Sequence, residues 1–323
     1  MATMDVTQLA ALTGENEKFL GVLCWQSIGD QSIPAADLTR ITEATIGKDY
    51  VPSPINASDA FRRATTLVEQ KGIGMGNGRK INMLVRDVSP KGEPRIVRQF
   101  VRELVDSNNE RLEYVPFAQV ECENGQWKCT PLISVLAEEE QRMTVQAELA
   151  YQHELTHHNS RIIRDQAARV LGHARAISVR PSGGVYFVPR SHVADIENLK
   201  QFFLELHPYH TNGTRARAWT VPVINTEEQR ALVQESLEVL VAQESNTLIA
   251  DISDALHPEV GPPTVTTRKV SGFLSRLDAV REIVKAYTED LALKSEKLTT
   301  ALQLAGAGIV QLTDHLAAHA QTA

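Results

Sequence analysis

His153, Glu154 and His157 stand in the spacing H-E-x-x-H. On a helix this spacing puts two imidazoles one turn apart on one face, able to hold a zinc ion, with the glutamate placed as general base toward a metal-bound water. The context argues otherwise. Leu155 falls on a sparse apolar stripe with Tyr151, Ile162 and Val170, and both histidines lie away from it, among the polar stretches EEEQRMTVQAELAYQ and HHNSRIIRDQ. A solvated helix face explains the pattern without a metal. A third ligand would have to come from further along, Glu197 or Glu205.

A second constellation is electrostatic. Between residues 161 and 190 lie Arg161, Arg164, Arg169, Arg175, Arg180 and Arg190, against Asp165 alone. Guanidinium groups fork onto phosphate oxygens. Arg164 and Arg175 precede the hairpin RPSGGVYFVPR, which runs from Arg180 to Arg190 and in which Gly183 and Gly184 make a turn and Tyr186 supplies a ring, so a helix-plus-wing contact with nucleic acid is one reading. Tyr186 and Phe187 sit on opposite faces of a strand, so at most one could stack outward. The alternative is that these arginines pair with acidic helices of the same chain or of a partner.

Other motifs carry less. GIGMGNGRK (72–80) has the composition of a phosphate-binding loop but follows a helix and precedes a strand, the reverse of the order that aims a helix N-terminus at phosphate. It reads as a flexible connection. Cys122 and Cys129 flank Asn124-Gly125. In a two-residue hairpin Cys122 faces Trp127 and Cys129 faces Val120, a diagonal relation ill-suited to a disulfide, so both read as reduced thiols. No G-x-S-x-G motif is present.

The elements that must position these groups are legible in outline. VPSP (51–54) and Asn56 or Ser58 predict a helix from Ala57 to Gln70, and INMLVRDV (81–88) predicts a strand. Segment 95–105 has helical spacing but strand composition, and turn residues on both sides favour the strand. Asn124-Gly125 predicts a hairpin. Segment 134–174 lacks proline and predicts one helix of about 60 Å. A second hairpin is expected around residues 181–184, then a helix over 191–206 with Ser191 as cap, then a strand at 217–224. Thr226 with Gln229 opens a helix to about Leu256, and residues 257–267 form a linker. Val270, Phe273, Leu277, Val280, Val284, Tyr287 and Leu291 repeat as an a/d seam, which shifts register after Lys294.

The 323 residues are 42% hydrophobic, enough for a real core, and only 5% aromatic. Net charge is −7, which does not suit a general nucleic-acid coat. Three cysteines do not make a disulfide scaffold. With no membrane-length apolar run and acids in the first residues, a cytoplasmic location is expected.

The residues support two family comparisons. HExxH resembles the zincin metallopeptidases over those five residues only; Ile163 stands where a metzincin would have its third histidine. FLGVLCWQSI (19–28), INASDAFRRAT (55–65), LVRDV with IVRQFVRELVD (84–106) and RPSGGVYFVP (180–189) together resemble an uncharacterised family of bacteriophage- and plasmid-borne bacterial proteins, over about residues 19–206. That resemblance implies a mobile-element origin and no activity, and it weakens the zincin reading, because HExxH is not a feature of that family. The sequence thus predicts an α+β protein in three parts, a mixed module over 1–133, a helix and hairpin over 134–224, and a helical or coiled-coil region over 225–323. The expected role is non-enzymatic assembly or interaction, as a homo-oligomer through long helices. Nucleic-acid binding through 161–190 is the alternative, and zinc at His153 and His157 is the second alternative.

Overall fold

A computed structural model describes residues 19–90, 93–180, 183–257, 265–293 and 295–322. Among them are eight α-helices and three antiparallel sheets, 53% helix and 27% strand, a mixed α+β fold. The chain forms two compact units, each assembled from separated stretches: residues 1–29, 42–50 and 163–323 in one, 30–41 and 51–162 in the other.

The first unit is built around strand β1 (Phe19–Ser27). It pairs on one side with the strand at Arg217–Ile224 and on the other with that at Tyr186–Pro189, and Ile177–Ser178 completes a four-stranded sheet. Its side chains alternate between two cores. Val22 and Cys24 pack with Leu171, Ala174, Val188 and Ile196. Leu20, carried to the opposite side by a bulge at Phe19–Gly21, joins Ile177, Phe187 and Val223. Glycine is required at position 21, where a Cβ would lie 2.1 Å from the Val188 carbonyl oxygen. The second core is closed by three long helices, at Glu227–Leu256, Thr267–Leu291 and Glu296–Thr322. Thr226 and Thr266 cap the first two, accepting the amides of Gln229 and Lys269.

The predicted a/d seam lies on the second of these helices and is consumed inside the chain. Val270, Leu277, Val280, Tyr287 and Leu291 are buried against Val233, Leu237, Leu248 and Ile252 on one side and Leu298, Ala305, Ile309 and Leu312 on the other. Tyr287 ties the bundle to the turn that leads into the Ile177–Ser178 strand by donating to the Arg175 carbonyl oxygen at 2.9 Å. Of the linker, residues 258–264 lie outside the described residues, as do Lys294 and the first 18 residues.

The second unit carries a five-stranded meander. In order β3 (Gln70–Gly76), β4 (Arg79–Asp87), β5 (Ile96–Val105), β6 (Arg111–Glu123) and β7 (Gln126–Pro131) pair with their chain neighbours. Two helices cover one face, α2 (Ala57–Leu67) and α3 (Glu138–Glu154), counting Ala35–Thr45 as α1. Phe61, Ala64, Met143, Ala147 and Tyr151 pack there on Val85, Phe100, Ala118 and Val120. Arg102 reaches from the sheet to the buried Glu140 of α3 at 2.9 Å, and Glu140 also accepts the Ala137 amide that opens the helix. The strand reading of 95–105 holds, and so does the register at Asn124-Gly125, with Cys122 opposite Trp127 and Cys129 opposite Val120. All three cysteines are free thiols.

Three local expectations are corrected. GIGMGNGRK is not a loose connection but the β3–β4 hairpin, turned at Asn77-Gly78 with φ of 52° and 74°. The preceding helix consequently stops at Leu67, short of Gln70. Ser191 does not cap the next helix, which starts at Val193 after His192; its hydroxyl donates to Asp290.

The largest correction concerns segment 134–174. Helix α3 ends at Glu154, a two-residue turn comes next, His157–Asn159 forms β8, and a new helix, α4, runs Ser160–His173. Strand β8 pairs with β2 (Ser32–Pro34), and the Ala35 amide donates to the Thr156 carbonyl oxygen at 2.9 Å. The Thr156 hydroxyl folds back on the His153 carbonyl oxygen, and Asn159 accepts the Arg161 amide to open the next helix. A two-residue turn and a sheet ladder thus override helix propensity.

The seam makes a stability prediction. Leu277→Ala should cost about 2–5 kcal/mol of unfolding free energy, measured by chemical denaturation. Leu304→Ala, on an exposed face of α8 (the helix at Glu296–Thr322), should cost about 0.5 kcal/mol or less.

Candidate functional site

The break after Glu154 dismantles the helical HExxH arrangement. His153 is in the last turn of α3 and His157 in β8. Their rings stack face to face, with centroids 4.2 Å apart and planes 10° from parallel. His153 Nε2 is hydrogen-bonded to the Ser32 hydroxyl at 2.8 Å, and His157 Nδ1 to the Thr156 hydroxyl at 2.9 Å. Glu154 turns away, 8% exposed, and accepts from Arg63 of α2 at 2.6 Å. The Glu154 carboxylate is thus spent on joining α3 to α2 and does not face the two histidines. Glu197 and Glu205, the distant ligand candidates, are bonded within their own helix (α5, Val193–Glu205) to Lys200 and Gln201.

The adjacent His158 is buried in the β2–β8 ladder, and burial, then the Arg63 charge, hold its imidazole below the usual histidine range. His210 in the first unit is held down likewise, by burial first and then by His207 and Arg215. Its Nε2 accepts the Ala216 amide at 3.0 Å, which requires the neutral ring.

The basic segment resolves into distinct roles. On α4, Arg164 donates to the Ile28 carbonyl oxygen, and Arg169 donates to that of Asp49 and lies over the Tyr50 ring at 5.3 Å. Arg161 falls in the other unit. Arg175, at φ 52°, closes the end of α4. Arg180 is exposed beside the hairpin turn, its carbonyl oxygen taken by the Gly183 amide; Gly183 and Gly184 have φ of 74° and 85°, and Pro181 and Ser182 lie outside the described residues. Arg190 is exposed in the short helical turn Arg190–His192. The expected pairing with the chain's acids is not found for four of the six: among the described residues no carboxylate lies within 4.0 Å of the guanidinium of Arg161, Arg169, Arg175 or Arg180. Tyr186 is not an outward platform. It is half-buried against the Val22–Cys24 core, and Phe187 is fully buried on the other face.

Two features were not anticipated. Trp25 and Trp219, directly opposite in the β1 pairing with the Arg217–Ile224 strand, stack at 6.2 Å and 17°, with Trp219 39% exposed. Among the described residues, three metal-capable side chains converge: His173 at the end of α4, His192 in the Arg190–His192 turn and Asp195 in the first turn of α5. His192 Nδ1 lies 2.9 Å from Asp195 Oδ2, and the His173 and His192 rings meet edge to face at 5.8 Å. His192 and Asp195 are one helical turn apart, a spacing visible in sequence; nothing in sequence joins His173 to them.

Against known families, the profile of a family of unknown function, DUF6744, matches residues 19–319, and the chain belongs to that family. The match runs beyond the expected 19–206 and takes in the helical bundle. No curated protein and no solved structure matches. No described helix is long and apolar enough to cross a membrane.

The two depressed histidines set a pH dependence. Because the unfolded chain binds their protons more readily, stability is full above the ordinary histidine range and is lost as pH falls through about 6.5 toward the folded values. Thermal melts should shift downward between pH 7.5 and 5.5, and the shift should shrink in a His158→Asn, His210→Asn double variant.

Proposed function

We propose that this chain is a non-enzymatic interaction protein and that nucleic acid is the partner of the basic stretch from Arg164 to Arg190. The observation that carries this reading is that, among the described residues, no carboxylate pairs with the guanidinium of Arg175 or Arg180 beside the Gly183-Gly184 hairpin, in a chain with 40 acidic side chains. Guanidinium groups left unpaired while carrying net positive charge are suited to phosphate oxygens. The Trp25–Trp219 pair on the same sheet offers an apolar ring surface of the kind bases stack on. The mobile-element origin implied by the sequence resemblance fits a protein that handles nucleic acid, and it belongs to this proposal.

Self-association is the second reading, through residues other than the seam. Val145 and Leu149, one turn apart on α3, are 56% and 65% exposed. A homo-oligomer would bury them. Light scattering on the full chain should then give a multiple of the 35.7 kDa chain mass, and a Val145→Glu, Leu149→Glu double variant should give the chain mass itself. A wild-type monomer at micromolar concentration overturns this reading.

The nucleic-acid reading is tested by fluorescence anisotropy with labelled single-stranded and duplex DNA across a salt series. Affinity should fall with salt, and Arg175→Ala and Arg180→Ala should each reduce the logarithmic salt slope by about 0.7–0.9. Absence of binding at low salt, or a slope unmoved by both substitutions, overturns it.

A further inference from the structure

We propose that His173, His192 and Asp195 form a site for one divalent transition ion of the zinc type, with its remaining coordination position open to water. The proposal is independent of the nucleic-acid reading.

The donor set defines the ion. Two imidazoles and one carboxylate suit zinc and its neighbours, whereas magnesium and calcium take oxygen shells. One donor atom from each residue lies within 4.8 Å of the other two. Bonds of about 2.0–2.1 Å at tetrahedral angles separate ligand atoms by about 3.3 Å. The 2.9 Å gap between His192 Nδ1 and Asp195 Oδ2 is already near that edge. His173 is exposed and ends its helix, so rotation of its side chain closes the remaining distance. The three residues come from three separate elements, and His192 and Asp195 are fixed by the turn that leads into α5, so the site is largely preformed.

An ion here would have a structural effect. His173 precedes the β9–β10 hairpin (Ile177–Ser178 with Tyr186–Pro189) and His192 comes after it. Coordination would therefore close a loop from α4 to α5 around the segment that bears Arg175, Arg180 and Arg190. Three protein ligands and an open position leave the ion exchangeable.

The test uses the full chain, stripped with chelator and titrated calorimetrically with zinc chloride, then with cobalt(II) as a spectroscopic probe. One ion should bind per chain, with cobalt giving the intense visible bands of a four-coordinate site. His173→Ala, His192→Ala and Asp195→Asn should each weaken binding about tenfold or more, while the metal-free melting temperature of His173→Ala, an exposed site, stays at the wild-type value. His153→Ala with His157→Ala should leave affinity unchanged. Lack of binding, affinity indifferent to His173→Ala, or loss of binding only in the His153, His157 variant overturns the proposal.

Discussion

The first unit depends on one strand that two neighbours share and two cores bury. Phe19–Ser27 gives hydrogen bonds to both flanking strands, and its alternating side chains feed an apolar layer on each side. Such a strand tolerates little: a side chain at Gly21 meets a backbone carbonyl, and a one-residue slip would exchange the two cores. The three-helix bundle is secondary to it. The bundle packs onto Leu20, Phe187 and Val223, and Tyr287 is fastened to the carbonyl of Arg175 at the end of α4. The basic segment and the His173 cluster inherit their positions from the same sheet.

The features legible in sequence were chiefly local. The Asn124-Gly125 turn set its hairpin register because two positive-φ residues leave only one pairing. Thr226 as a cap and the buried face of 270–291 read correctly because capping and heptad spacing are chemical signals within a few residues, but Gln229 does not complete a capping box: the Thr226 amide donates to the Ile224 carbonyl oxygen instead. The seam could not disclose its partner; knobs from the same chain and from a second copy look alike in sequence. The break at 155–159 was hidden for a related reason. Its cause is Ser32–Pro34, more than a hundred residues away, which draws His157–Asn159 into a ladder. The signal available was HHNS itself, a run of weak helix formers in which Asn159 caps the next helix. Asn77-Gly78 carried the same hairpin signal as Asn124-Gly125, masked by the glycines around it.

The candidate sites show the same division. HExxH was conspicuous because five contiguous residues suffice to notice it, and its helical geometry vanished once the helix ended inside the motif. His173 could not be joined to His192 and Asp195 from sequence because a hairpin lies between them and brings them together. The arginine-rich stretch was visible as composition, but only coordinates separate Arg164 and Arg169, which grip carbonyl oxygens of their own unit, from Arg175 and Arg180. Motif and site coincide only where the chain between the residues is regular.

The interleaving of the two units also has a temporal side. As the chain leaves the ribosome, β1 emerges roughly 160 residues before its first partner strand. The stretch 51–162, with its neighbour-to-neighbour meander, meets its pairing partners almost as soon as they are made. The inserted unit is therefore set to fold first, and β1 must wait as an unpaired apolar segment until residues 186–224 arrive. The loop closed by that late pairing is entropically cheaper when its interior is already compact. Synthesis order and topology together make β1 the strand of the first unit that waits longest for its partners, and the piece most in need of shielding until they arrive.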